Sequence, residues 1–78
     1  MSTTLQDHVA QEIRAELARR RMTQGALAAA LGRSEAYTTR RIKGEVAFKL
    51  DEVEQIAEIL GVPATSFMPD TSLARAAA

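Results

Sequence analysis

The stretch TQGALAAALGRSEAYTTRRIKG, residues 23–44, decides the architecture. Thr23 is a good side-chain cap for a helix that begins at Gln24. Leu27, Ala28 and Leu31 recur at the spacing of one buried face, and Gly32 follows them where glycine enters the left-handed region at low cost. Arg33 occupies the turn, Ser34 caps the next helix, and that helix runs to about Lys43, where Gly44 stops it. Two short helices joined by a three-residue glycine turn have the geometry of a helix-turn-helix. Ala28 marks the close crossing of the two helices. Thr38 and Ile42, four residues apart, are the inward positions of the second helix, flanked by Tyr37 or Ala36, and Glu35, Thr39, Arg40 and Lys43 point outward.

Upstream of this unit, Leu5, Val9, Ile13 and Leu17 form one apolar stripe with Ala10 and Ala18 beside it, which predicts an amphipathic helix over about 4–21. Thr3 or Thr4 caps it, and Thr3 with Gln6 has capping-box spacing. Arg19, Arg20 and Arg21 fall in its last turn, where positive charge complements the helix dipole, and phosphate contact is a second role for them. Downstream, residues 45–50 read as a loop whose apolar members dip into the core, with Phe48 as a plug. Asp51 is expected to cap a fourth helix with Glu52 and Glu54 in its first turn. Val53, Ile56, Ala57 and Leu60 are its buried stripe and Gly61 ends it. Pro63 can open a short fifth helix, with Phe67 and Met68 closing the core before Pro69. From Asp70 onward only Leu73 is large and apolar, and TSLARAAA fits a frayed helix, a disordered end or a dimerisation element equally well. The expectation is an all-α fold, a compact bundle of about five short helices over residues 1–69 with a short Ala-rich tail over 70–78.

Composition narrows the function classes. Seventy-eight residues build one core,. Without cysteine there is no disulfide framework and no thiolate metal site,. His8, the only histidine, reads as a solvated helix residue. No apolar run is long enough for a membrane span and no charged segment leads into one, so a soluble, cytoplasmic protein is expected, without membrane contact. There is no cysteine nucleophile, no histidine set up as a base, no carboxylate pair with a cleft and no glycine-rich phosphate loop, which argues against an enzyme. The acidic group Asp51, Glu52, Glu54 and Glu58 reads as a solvated helix face rather than a metal site. No catalytic residue, metal, cofactor or small-molecule ligand is expected.

The residues 23–45 quoted above, followed by FKLDEVEQIAEILGVPATSF, resemble the Cro/CI-type helix-turn-helix domains of phage repressors and XRE-like bacterial regulators. The resemblance covers about residues 10–68, and its markers are Gln24, Ala28, Gly32, Gly44 and the run IAEILGV from Ile56 to Val62. Two places depart from the family pattern: Thr38 stands where a branched apolar residue is usual, and Arg41–Ile42 where an apolar residue followed by glutamate is often found. The resemblance implies a lambda-repressor-like DNA-binding domain that regulates transcription by occupying an operator in double-stranded DNA, with the second helix of the unit in the major groove. Carried over by position, Arg33, Ser34, Glu35, Ala36, Thr39 and Arg40 are the base-reading candidates. Arg40 is the sharpest, since a guanidinium can bond guanine O6 and N7 together, while Glu35 could accept from cytosine and Ala36 touch a thymine methyl. Thr23, Gln24, Arg41, Lys43 and Lys49 are the phosphate-contacting candidates. Such repressors pair across a two-fold axis, so a homodimer on DNA is implied. The charge distribution agrees, because residues 14–49 hold nine basic side chains against three acidic ones while the rest of the chain holds one against seven,. The alternative is an antitoxin-like protein-interaction module that keeps the same fold.

Overall fold

The computed structural model describes residues 4–68, and their architecture is entirely helical, with no strand among them. Four α-helices follow one another: α1 (Leu5–Arg20), α2 (Gln24–Leu31), α3 (Glu35–Ile42) and α4 (Leu50–Leu60), closed by a short 3-10 helix, Ala64–Phe67. Helix starts are set locally. Thr4, Thr23 and Ser34 each sit in extended backbone and accept a hydrogen bond from the amide three residues on, Asp7, Ala26 and Tyr37 respectively,. Thr4, not Thr3, is therefore the cap of α1, and Gln6 donates instead to Gly44 O at 2.9 Å. Thr3 and the segment 70–78, including Leu73, lie outside the described residues.

The helix ends follow the same logic with one exception. Gly32 takes φ +71 and its amide closes α2 onto Ala28 and Ala29, as the sequence leads one to expect,. At the end of α1, however, the left-handed residue is Arg21, with φ 53, a conformation that a side chain adopts at a cost,.

The core is one cluster drawn from every element: Val9, Ile13 and Leu17 of α1, Leu27 of α2, Ile42 of α3, Val53, Ile56 and Leu60 of α4, and Phe67. Phe67, Ile13, Leu27, Ile42 and Ile56 are fully enclosed. Burial of these side chains is the main favourable term for a chain this small, at about 1.5–3 kcal/mol each relative to exposure. Thr38 shares the interior at 0 % exposure, and its Oγ1 donates to Ser34 O within the same helix, so the hydroxyl is satisfied without a partner across the core,.

The sequence expectation fails in three places near α4. The loop does not bury its apolar side chains as a group: Phe48 packs half-buried against the core, but Val46, Ala47 and Leu50 are exposed. The helix begins two residues earlier than Asp51 suggests, with Lys49 as the cap residue and the Glu52 carboxylate reaching back to accept from Lys49 N at 2.9 Å,. Pro63 precedes the last helix rather than opening it, and that helix is 3-10 rather than α.

Candidate nucleic-acid interface

An eight-residue helix such as α3 has four sides, and each is used differently. Thr38 and Ile42 face the core. The side toward α2 carries Glu35 and Thr39: Thr39 Oγ1 donates to Gln24 Oε1 at 3.0 Å, and the Glu35 carboxylate lies so close to the start of α2 that a Cβ on Gly25 would be 3.2 Å from its Oε2. The side toward α4 carries Tyr37 and Arg41, which meet Glu52. Ala36, Arg40 and Lys43, spaced at three and four residues, form the remaining side and face solvent, with Arg33, Ser34 and Glu35 exposed at the N-terminal end,.

These placements sort the eleven candidate residues. Arg33, Ser34, Glu35, Ala36 and Arg40 are exposed together on or just before α3, while Thr39 is half-buried against Gln24. Thr23 is exposed beside them as the cap of α2, and Gln24 keeps its amide NH2 free to donate because the Thr39 bond uses its oxygen,. Lys43 is exposed at the C-terminal end of α3, and Lys49 is exposed on the α4 flank next to Glu52.

Arg41 departs from the expectation of a phosphate contact. Its side chain is 13 % exposed, lies over the Tyr37 ring at 3.5 Å from the centroid, donates from Nη1 to Tyr37 O at 3.1 Å, and holds Nε 3.7 Å from Glu52 Oε1. The guanidinium is held inside the protein because burying Glu52 demands a cation beside it. Glu52 departs likewise from the solvated face read for the acidic group, being only 3 % exposed. Burial acts against its charged form, but the hydrogen bonds from Tyr37 Oη and Lys49 N–H and the charges of Arg41 and Arg33 outweigh that and hold its pKa below the ordinary 4.5,. The same contact raises the Tyr37 phenol, since the hydrogen bond to Glu52, with burial added, disfavours loss of its proton. Arg33 Cζ also lies over that ring, 4.9 Å from the centroid,.

Other groups that the sequence left unassigned hold α3 from behind. Arg14 donates from Nη1 to Ile42 O, and Gln6 donates to Gly44 O, so α1 satisfies carbonyls at the C-terminal end of α3,. In the arginine run, Arg19 and Arg20 both pair with Glu16, which leaves Arg21 as the member without an ion-pair partner among the described residues. One of these roles was legible: Glu52, Ile56 and Leu60 fall in a single row of four-residue steps, which puts Glu52 on the buried stripe despite its charge,. Nothing in sequence spacing pairs Arg14 with Ile42 or Gln6 with Gly44.

The geometry is therefore a cationic, polar helix face backed by three supporting elements, next to the N-terminal end of a second helix. Comparison with known proteins fits this picture. The family model described as the BetR domain matches residues 2–77. No curated protein matches the sequence. Among solved structures, the clp gene regulator ClgR of C. glutamicum superposes with a TM-score of 0.79 at 18% identity, covering 85% of this chain and 86% of that one. Hydroxypropylphosphonic acid epoxidase of S. wedmorenis superposes with a TM-score of 0.76 at 23% identity, covering 87% of this chain but 36% of the epoxidase. At these identities the likeness establishes the shared helical fold, which in the epoxidase is one part of a longer chain. No helix among the described residues is long and apolar enough to cross a membrane.

Proposed function

The chain belongs to the BetR domain family, and on that premise we propose that it is a sequence-specific double-stranded DNA-binding transcriptional regulator, of the phage- or prophage-repressor, Cro-like kind, acting in the cytoplasm as a homodimer on its operator. Family and fold both support a DNA-binding transcription regulator. The observation that carries the finer reading is the outward face of α3, where Ala36, Arg40 and Lys43 stand exposed while the other sides of the helix are fastened to α1, α2 and α4. A helix with so many fixed sides presents its remaining face as a rigid unit, which is what reading base edges in the major groove requires.

In this proposal Arg40 reads guanine with Ala36 beside it, Arg33, Ser34 and Glu35 meet bases at the N-terminal end, and Thr39 contacts DNA only at the margin because it already holds Gln24,. Thr23, Gln24, Lys43 and Lys49 contact phosphates on either side. Arg41 supports α3 from behind instead. Binding selected and random duplexes across a salt series tests all of this. Arg40→Ala is expected to lower the preference at about one base pair, by roughly 1–3 kcal/mol, with the fold retained. Lys43→Ala is expected to weaken binding to every duplex alike. Absence of any duplex binding at low salt would overturn the proposal in favour of an antitoxin-like interaction module.

A further inference from the structure

A second surface, remote from the outward face of α3, is shaped to receive a side chain. A cavity of about 370 Å³ opens between the start of α1, the loop before α4 and the end of the last helix, and no residue of α2 or α3 lines it. That volume is in the range of clefts that take a ligand or a segment of chain, ~300–1,000 Å³. Leu5, Val9, Phe48, Leu50, Val53 and Met68 make its walls apolar. Leu5 and Leu50, two of the three exposed large apolar side chains among the described residues, stand at this one place with 59% and 72% of their surface open. Apolar surface gathered in this way marks an interaction site.

We propose that this groove seats the chain's own segment 70–75, with Leu73 as the side chain that fills it. Met68, the last described residue, forms part of the wall and has extended backbone, φ -94 and ψ 153, so the following residues start at the groove. Leu73 is five residues on, within a reach of about 17 Å, and is the one large apolar residue beyond Met68. The family match continues through this segment to residue 77. Charge agrees as well. Asp51, next in sequence to the lining residue Leu50, is exposed and pairs with no cation among the described residues, and Arg75 is the one cation outside residues 14–49. A short tether gives an effective concentration on the order of millimolar, which favours the chain's own segment over that of a second copy.

The chain has no cysteine, so Ala76→Cys accepts a single nitroxide label. In the isotope-labelled, spin-labelled full chain, the amide signals of Leu5, Val9, Leu50 and Val53 are expected to lose intensity, to the same extent on dilution, and to recover on reduction of the nitroxide. Leu73→Asp, and separately Leu50→Asp at its exposed position, are expected to restore those signals while the rest of the spectrum stays folded. Groove signals as sharp as those of α2, or broadening that survives both substitutions, would overturn the proposal. So would broadening that arises only between isotope-labelled and spin-labelled molecules mixed together, which would place a second copy in the groove.

Discussion

At the scale of single residues, Glu52 is the group on which most contacts converge. It accepts from Tyr37 Oη and Lys49 N–H and lies beside Arg41, so it ties α3, the loop and α4 together through one carboxylate. Because its pKa is lowered on folding, its contribution is complete above 4.5 and is lost as pH falls through the lowered folded value,. Wild-type protein should therefore lose thermal stability more steeply below pH 4.5 than Glu52→Gln does, which a series of melting curves would reveal,. Tyr37→Phe removes the phenol donor from this buried group and is expected to cost about 1–3 kcal/mol in urea unfolding. Arg21 gives the opposite case. Its left-handed backbone, φ 53, suits glycine better, and Arg21→Gly is expected to raise the unfolding free energy by up to about 1 kcal/mol, provided no other contact is lost,.

At the scale of elements, α3 is set by what grips its two ends. Ser34 caps it, and at the other end Arg14 and Gln6 bond the carbonyls of Ile42 and Gly44. Gly44 is confined there, with φ +83 and with Asp7 Oδ1 3.2 Å from where a Cβ would stand. Gly44→Ala is expected to destabilise by about 1–2 kcal/mol, and adding Asp7→Ala should recover only the part due to crowding, a partition that a double-mutant cycle reads directly. These elements also explain what sequence makes legible. Caps such as Thr23 and Ser34, and the left-handed glycine at 32, act within four residues, so pattern alone finds α2 and α3. The start of α4 differs from the pattern because Asp51 is intrinsically the better cap, whereas the observed cap geometry depends on Glu52 reaching back. Arg41 is expected at a phosphate because a cation beside the reading face has no partner within its own helix; its inward turn depends on a carboxylate eleven residues later that becomes a neighbour only when α4 packs,.

At the scale of the whole molecule, the zero net charge conceals an uneven distribution, but fewer cations are available than a count suggests. Of the nine in residues 14–49, Arg14, Arg19, Arg20 and Arg41 are engaged with other groups of the protein. That leaves Arg21, Arg33, Arg40, Lys43 and Lys49 as the side chains able to displace counterions. The slope of log K against log salt is therefore expected not to exceed about 4–5 per protein copy, and to fall by about 1 in Lys43→Ala, as equilibrium titrations at several salt concentrations would measure. If two copies bind one operator, footprints should show half-sites about 34 Å apart.

One consequence of the Tyr37 contacts concerns observation. The chain contains one tyrosine and no tryptophan, so its near-ultraviolet signal comes almost wholly from a single ring. That ring is on α3, under the guanidinium groups of Arg33 and Arg41 and bonded to Glu52. Unfolding, protonation of Glu52 and withdrawal of Arg33 toward a bound duplex would each change the surroundings of the same chromophore. The protein thus carries its own optical reporter at the helix whose docking is in question, and unmodified material suffices to follow it.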